Sequence, residues 1–392
     1  MEKRNGLLVL ILTIGVFGIL NTEMGFIGIL PDIAEHFNVS VATAGWLVSI
    51  FAIGVAISGP TMPLLFSGIN RKNVMVLVLI IFVIGNIISI FTSDFTVLLI
   101  ARIIPALFHP VYCSLAFSVA ANSVSKTEAP KAVAKVFIGV SAGMVVGVPI
   151  ASFIAGITNL QIALAFFAVV NILVLIATLV FVPSIPVKEK ISYGKQLNVL
   201  KKSITWFSVI GVIMVNSAIF GVYSFLAEYL QTVTNVSPSV TSLLLLIYGA
   251  ANIIGNILAG RLLTFKPLKT VVAFPFLLGI TYVILFFTGH LSLATAIIIL
   301  IWGIIAGVGA NINQYLVTSA APEAPDFSNG LFLSACNIGT FVGTAVGGMF
   351  ISAMGTKYVV MVGILSVVVS AVFIFLRNYR YRFETKLSNA EN

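Results

Sequence analysis

The chain has 392 residues, of which 59% are hydrophobic and 8% are charged, and its formal net charge is +9. Soluble domains carry about 25% charged residues, so this composition excludes a soluble globular protein and predicts a membrane protein. The basic residues are spread along the chain rather than gathered in a patch, which argues against nucleic acid as a partner.

Long apolar runs follow one another from Leu7 to Arg377. A helix needs about 20 apolar residues to cross a hydrocarbon core about 30 Å thick, whereas barrel strands alternate polar and apolar residues. The unbroken runs therefore exclude a membrane β-barrel and predict an all-α membrane protein. Twelve transmembrane helices are predicted near residues 7–30, 42–66, 73–92, 96–121, 132–157, 161–183, 204–230, 239–262, 271–289, 293–319, 330–354 and 358–377.

The first run follows Lys3 and Arg4, as a signal sequence would, but it is longer than a signal core and no small-residue cleavage site follows it. We expect it to remain as the first span. If both termini are inside, all of the 21 Lys and Arg residues except Arg102 and Lys357 fall on the inner side. The positive-inside rule thus predicts a multi-pass protein of the cell membrane with both termini in the cytoplasm.

The longest predicted inner connection, residues 184–203, divides the chain into an N-terminal six-helix bundle (1–183) and a C-terminal bundle with a short tail (204–392). A shift of 196 positions lays Gly143 and Gly147 on Gly339 and Gly343. Such a match predicts an internal repeat, and two repeats that rock about a shared site are typical of transporters. The glycine ladders permit close helix packing. Static packing and a sliding interface remain alternatives.

Three stretches carry a family resemblance. Residues 22–60 read TEMGFIGILPDIAEHFNVSVATAGWLVSIFAIGVAISGP, and LLIARIIPALFHP and GMVVGVPIASFIAG follow in spans four and five. They resemble the twelve-span drug/proton antiporters of the major facilitator superfamily, in particular the arabinose- and sugar-efflux-like branch. The resemblance implies the major facilitator fold, with two pseudo-symmetric six-helix bundles, and proton-coupled export by alternating access.

The resemblance also implies a set of conformational motif residues. These are the basic pair Arg71 and Lys72 after span two, and Gly143, Gly147 and Pro149 of span five. Two positions depart from the family pattern. Ser67 replaces an aspartate that serves as a gate, and Glu228 stands where the branch has proline. We favour Glu228 as a charge at the outer rim over a second protonation site.

Glu23, Arg102 and His109 are candidate proton-coupling residues. Glu23 lies about 24 Å along the first span, and Arg102 lies about 9 Å below the outer end of span four, so the two are at similar depth. Charges in a span usually face the bundle interior and pair, so we expect Glu23 to face Arg102. His109 follows two helical turns later on the same face, and its ordinary pKa near 6.5 suits proton traffic. A permanent ion pair and a neutral, hydrogen-bonded histidine are the alternatives.

Amides and aromatic residues in the second half form candidate substrate-cavity positions, because such a mixture suits a small amphipathic ligand. Each could instead hold helices together. The candidates are Asn216, Phe220, Tyr223, Tyr248, Asn252, Asn256, Asn311, Asn313, Gln314, Asn337 and Phe341.

The sequence favours a proton antiporter that exports a drug, sugar derivative or amino acid. A proton-independent facilitator or importer is the alternative. A membrane enzyme is disfavoured because no nucleophile elbow or metal-binding histidine cluster is present, and a receptor would leave the repeat without a purpose. Cys113 and Cys336 have no metal-ligand partners in the sequence, so we expect no cofactor. The expected partners are the substrate, protons and lipid, and the chain is expected to be a monomer.

Overall fold

The computed structural model describes residues 2–66, 68–125, 129–186, 196–321 and 325–390. Within these ranges the regular structure is helical, and twelve helical segments are long and apolar enough to cross a membrane. The predicted all-α class with twelve spans is therefore confirmed. Large apolar side chains such as Leu10, Ile57 and Phe287 are exposed on these helices, as expected for surfaces that face lipid rather than water. The predicted departure at Ser67 lies outside the described ranges.

The chain forms two compact units. Unit 1 consists of Met1–Ser192 with Ser237–Leu246, and unit 2 consists of Tyr193–Val236 with Ile247–Asn392. Part of the predicted linker, residues 187–195, lies outside the described ranges. The predicted domain limits, 1–183 and 204–392, stay a prediction.

In the described part of unit 1, nine α-helices are complete. They are α1 (Glu2–Met24), α2 (Leu30–His36), α3 (Val41–Ala44), α4 (Trp46–Ser58), α5 (Met62–Leu65), α6 (Arg71–Phe91), α7 (Phe95–Asn122), α8 (Ala129–Ile157) and α9 (Leu160–Phe181). Polar residues in the connections fix where several of them start. The side chains of Asn70, Asp94 and Asn159 accept hydrogen bonds from backbone N–H groups in the first turns of α6, α7 and α9. Such caps satisfy donors that have no partner inside the helix.

Unit 2 contains the other described α-helices. They are α10 (Ser203–Tyr223), α11 (Leu226–Thr232), α12 (Pro238–Phe265), α13 (Pro267–Thr288), α14 (Ser292–Thr318), α15 (Pro325–Met354) and α16 (Val359–Ala390). The α12 helix is divided: it belongs to unit 1 up to Leu246 and to unit 2 from Ile247 onward. Short 3-10 helices, Gln196–Lys201 and Thr356–Tyr358, precede α10 and α16.

Glycines allow close packing in equivalent helix pairs of the two units, α1 with α8 and α10 with α15. A Cβ atom built on Gly143 of α8 would lie 2.6 Å from Leu20 Cβ of α1, and one built on Gly339 of α15 would lie 2.5 Å from Ile213 O of α10. Carbon atoms in contact normally stay about 3.5–4.0 Å apart, so only glycine fits. The close approach that the glycine ladders predict is present in both pairs, at positions 196 residues apart.

The first span of unit 1 is broken near its outer end, which the sequence pattern did not predict. The α1 helix ends at Met24, a 3-10 helix covers Gly25–Ile29, and α2 begins at Leu30. Glycine weakens a helix, and Pro31 cannot donate a backbone hydrogen bond. In unit 2, α11 begins at Leu226 after a similar break. Because Leu30 and Leu226 are also 196 positions apart, the break belongs to the repeated design.

Candidate functional site

The helix break after α1 leaves backbone carbonyl groups that can accept hydrogen bonds, and the site is built around them. The last carbonyl groups of a helix have no partner within the helix. Arg102 of α7 supplies the missing donors. Its Nη1 donates to Thr22 O at 2.6 Å and its Nη2 donates to Glu23 O at 3.1 Å. One planar guanidinium therefore holds two consecutive carbonyl groups at the end of the first span.

Aromatic rings enclose the same guanidinium. Arg102 Cζ lies 4.0 Å from the ring centroid of Phe26 and 4.4 Å from that of Phe51. Only 2% of the Arg102 residue surface is exposed. A buried cation needs such compensation because its removal from water is costly, and the faces of aromatic rings attract cations.

The Glu23 carboxylate pairs with histidine. His109 Nε2 lies 3.0 Å from Glu23 Oε2, and the two residues are 9% and 8% exposed. The same Nε2 atom lies 3.8 Å from Cys113 Sγ, one turn further along α7. His109 Nδ1 is buried and has no hydrogen-bond partner. The imidazole therefore meets the carboxylate and the thiol through a single nitrogen atom.

The structure brings Glu23, Arg102 and His109 together but changes their expected pairing. From the sequence, Glu23 is expected to face Arg102. In the described part of the chain, the guanidinium binds backbone carbonyls and the carboxylate ion pair is with His109. The physical reason is the helix break, which presents carbonyl groups to Arg102. Glu23 and Arg102 do lie in contact, but the hydrogen bond between them runs to the Glu23 backbone rather than to its side chain.

Three hydrogen-bonded residues beside this cluster are not among the candidates predicted from the sequence. Thr22 Oγ1 accepts hydrogen bonds from Asn86 Nδ2 of α6 at 3.2 Å and from Asn171 Nδ2 of α9 at 2.9 Å. All three residues are at least 96% buried. An isolated asparagine in each of two apolar spans was the available signal, since buried polar groups in a membrane are normally hydrogen-bonded.

In unit 2 the aromatic candidates form a cluster. The rings of Tyr223 and Tyr248 stack with centroids 4.6 Å apart, and Tyr248 meets Trp302 edge to face at 5.0 Å. Phe220 packs against Tyr223 at 6.0 Å. Trp302 was not among the predicted residues, although α14 places it against both tyrosines.

The amide candidates form hydrogen-bonded chains between helices. Asn311 Nδ2 donates to Asn256 Oδ1 at 2.6 Å, and Asn256 Nδ2 donates to Asn252 Oδ1 at 3.0 Å. Asn216 Nδ2 donates to Cys336 O and to the Thr340 hydroxyl. These contacts join α12 to α14 and α10 to α15, so the amides hold helices together whether or not they also bind a ligand.

The remaining candidates are more dispersed. Asn313 Nδ2 donates to Asn216 Oδ1 at 3.4 Å, Gln314 is exposed, and Phe341 is half-buried. Asn337 Nδ2 donates to Leu333 O within its own helix. Glu228 accepts a hydrogen bond from the Thr356 hydroxyl at 3.5 Å. The structure thus brings part of the predicted substrate set together and leaves Gln314 apart.

The predicted motif residues lie in unit 1. Arg71 Nη1 donates to the Ser118 hydroxyl at 3.1 Å and Lys72 Nζ donates to Leu179 O at 2.9 Å. In α8, Gly147 packs against the Asn21 side chain, and Pro149 lies inside the helix and is buried. Within the described ranges, no group of three or more His, Cys, Asp or Glu residues is arranged to hold a metal ion.

Comparison with known families identifies the chain. A family model described as the Major Facilitator Superfamily matches residues 12–344 and 209–391. The chain belongs to the major facilitator superfamily. The resemblance found in the sequence is therefore confirmed at this level, and the protein is a transporter rather than an enzyme.

Known relatives span nearly the whole chain. The inner membrane transport protein YdhP of Escherichia coli K12 is 29% identical over 368 residues, which cover 94% of this chain and 95% of the relative. A probable sugar efflux transporter of Helicobacter acinonychis is 27% identical over 356 residues, 91% of each chain. Among solved structures, the nucleoside transporter NupG superposes with a TM-score of 0.78 at 12% identity, covering 96% of this chain and 99% of that one. The last similarity shows the shared fold alone.

Proposed function

We propose that this major facilitator protein is a proton-coupled antiporter that exports a small amphipathic organic compound by alternating access. It would work as a monomer in the cytoplasmic membrane, with both termini in the cytoplasm. The observation that carries the proposal is a buried contact between two membrane spans: Glu23 Oε2 of α1 lies 3.0 Å from His109 Nε2 of α7. Ionisable groups in spans commonly mark proton pathways.

Proton arrival changes the interactions of this pair. An ionised Glu23 accepts a charge-assisted hydrogen bond from His109, whereas a protonated carboxyl loses the ionic part of that attraction. Burial favours the neutral carboxyl and a neighbouring cation favours the ionised one. A conformational change that altered access or partner distance would therefore alter proton affinity. Differential affinity of this kind is what couples a ligand to a conformational equilibrium.

Arg102 has a different part in the proposal. Because it binds the carbonyl groups of Thr22 and Glu23, it fixes the end of α1 and contributes a positive field near the carboxylate. The glycines of α8 and the basic pair Arg71 and Lys72 are proposed to serve the conformational change.

The substrate is proposed to contact unit 2 through its aromatic and amide residues. Tyr223 and Tyr248 offer an aromatic stack, and Asn252 and Asn311 end a chain of amides. Aromatic faces suit an apolar part of a ligand, and amides suit hydroxyl or amide groups. The name of the Helicobacter relative, a sugar efflux transporter, supports a sugar derivative as the first candidate to test.

The test begins with purified protein and a panel of drugs, sugar derivatives and amino acids, scored by the rise in melting temperature. Compounds that stabilise the protein are then followed in proteoliposomes with an imposed pH gradient. We expect substrate movement against its own gradient, with proton movement in the opposite direction. Flux that ignores the pH gradient would instead establish a facilitator.

Two glutamate variants test whether Glu23 couples proton movement to transport. Glu23→Gln keeps the shape of the side chain but cannot ionise, so it should lose proton-driven accumulation while retaining substrate binding. Glu35→Gln on α2 is the matched control, because Glu35 is exposed, and it should behave as the wild type. Proton-driven accumulation by folded Glu23→Gln protein would overturn the proposal.

A further inference from the structure

Thr22 is a hydrogen-bonding centre directly before Glu23. Its Oγ1 accepts from Asn86 of α6 and from Asn171 of α9, and its carbonyl oxygen accepts from Arg102 of α7. Three helices are therefore tied to a single residue. Threonine suits this position because its branched side chain has few accessible rotamers, so bonds to its hydroxyl also constrain its backbone.

Asn171 strengthens the connection to α1. Its Nδ2 lies within hydrogen-bonding distance of Phe167 O at 2.9 Å, of Gly18 O at 3.3 Å and of Thr22 Oγ1. The residue is fully buried. An amide that bonds to two successive turns of α1 fixes the rotation of that helix about its axis, and this rotation decides where the Glu23 side chain points.

The opposite side of α1 has no comparable restraint. Asn21 faces α8, where its amide oxygen lies against Gly147, yet neither Asn21 Nδ2 nor Oδ1 has a hydrogen-bond partner. The end of α1 is therefore positioned by polar contacts to α6, α7 and α9, while its contact with α8 here is one of packing.

We propose that Thr22, held by Asn86 and Asn171, is a positioning residue that sets the distance between the Glu23 carboxylate and His109. The inference rests on the proposed function, because it assigns a role in proton coupling. Loss of the hydroxyl removes the bonds from Asn86 and Asn171 to this side chain, so we expect α1 to rotate slightly and the contact between Glu23 Oε2 and His109 Nε2 to lengthen. A buried carboxylate with a weaker partner binds its proton more readily, so proton-dependent transport shifts to higher pH.

In the described part of the chain, the ionisable side chains that approach Glu23 lie on α7. Arg102 and His109 approach it from α7, and Cys113 lies behind His109. Tyr112 of α7 contacts α1 at Gly15, about two turns earlier. Among the described residues of α4, α6, α8 and α9, no ionisable side chain bonds to Glu23. A change in the pH profile after substitution of Thr22 therefore reports on the Glu23 and His109 pair.

The test compares two substitutions of Thr22. Thr22→Val keeps the shape of the side chain and removes the hydroxyl, whereas Thr22→Ser keeps the hydroxyl. Proton-driven transport is measured in proteoliposomes across pH. We expect Thr22→Val to raise the pH of half-maximal transport by about 0.5 to 1 unit. This shift is about a three- to tenfold change in proton affinity, which is the size of the net contribution of a single hydrogen bond. Thr22→Ser should restore the wild-type midpoint.

Thr281→Val is the matched control. Thr281 is buried in unit 2, and within the described ranges its hydroxyl donates to Leu277 O of its own helix at 2.8 Å, so the midpoint should not change. If Thr22→Val does not fold, Asn86→Leu replaces it, because in the described part of the chain the Asn86 side chain donates to Thr22 Oγ1, and a smaller shift in the same direction is expected.

The outcomes separate this inference from the proposed function. If Glu23→Gln loses the pH response while folded Thr22→Val keeps the wild-type midpoint, the positioning role is wrong and the antiporter proposal stands. If Glu23→Gln keeps the pH response, the antiporter proposal and the positioning role both fail. An equal shift in Thr22→Val and Thr281→Val would also overturn the positioning role.

Discussion

Buried charges in this protein are matched to partners of different kinds. Arg102 is stabilised by two carbonyl groups and two aromatic rings, and Glu23 pairs with an imidazole. Depth along the spans predicted that these residues meet. It could not predict the partner atoms, because backbone carbonyls become available only where α1 ends, and Gly25, Gly28 and Pro31 were the sole local signs of that break.

Substitution of Arg102 tests the carbonyl clamp. Arg102→Lys should lower stability by about 1–3 kcal/mol, because an ammonium group cannot bridge two carbonyls in a plane or stack on Phe26 and Phe51. Thermal unfolding in detergent measures the loss. The control is Arg71→Lys, whose guanidinium donates to the partly buried Ser118 hydroxyl and which should change stability by less than about 0.5 kcal/mol. Equal losses in the two variants would argue against the clamp.

The two glycine-packed helix pairs differ in their polar contacts. Between α10 and α15, Ser217 Oγ donates to Gly339 O at 2.8 Å, and Asn216 adds bonds to α15. Between α1 and α8, the described side chains show the bond from Thr13 to Lys135 O at 3.3 Å. Asn21, which lies 196 positions before Ser217, has no partner. At these equivalent positions, a side-chain hydrogen bond from Ser217 joins α10 to α15, whereas the Asn21 side chain forms none between α1 and α8.

Asn21→Ser transfers the unit 2 arrangement to unit 1. A serine hydroxyl at this position can donate to Gly143 O as Ser217 donates to Gly339 O, and the unpaired buried amide is removed. We expect a stability gain of about 1 kcal/mol, seen as a higher melting temperature, together with slower transport if the two helices move past each other. Ser217→Ala is the converse change and should lower stability by a similar amount. A lower melting temperature for Asn21→Ser would contradict this interpretation.

At the scale of the whole molecule, the hydropathy of the sequence predicted the membrane spans, whereas short sequence patterns did not predict the side-chain contacts between helices. Twelve apolar runs predicted twelve spans because the bilayer fixes helix length. The glycine match at an offset of 196 predicted equivalent helix pairs, and these pairs exist in both units. The aromatic cluster around Trp302 could not be predicted, because it depends on how α10, α12, α13 and α14 pack, which one sequence does not encode in any short pattern.

The proposed orientation gives a prediction for Lys357. This residue lies in the short 3-10 helix between α15 and α16, with its Nζ 4.7 Å from the ring centroid of Phe286. With cytoplasmic termini it faces outward, so a membrane-impermeant amine reagent added to intact cells should modify it, as read by peptide mass spectrometry. Lys269 should react only after permeabilisation, and Lys357→Arg should remove the outer signal. Modification of Lys269 in intact cells would reverse the orientation.

Arg102 donates to backbone carbonyl oxygens rather than to the carboxylate, so these two hydrogen bonds do not require an ionised Glu23 side chain. Whatever the charge of His109, a proton that binds Glu23 would add one positive charge to the cluster. A membrane voltage acts on a unit charge with about 2.3 kcal/mol per 100 mV when that charge crosses the full field. In the proposed antiporter, a voltage negative inside would therefore favour inward movement of the proton-loaded site over that of the empty site by this one charge.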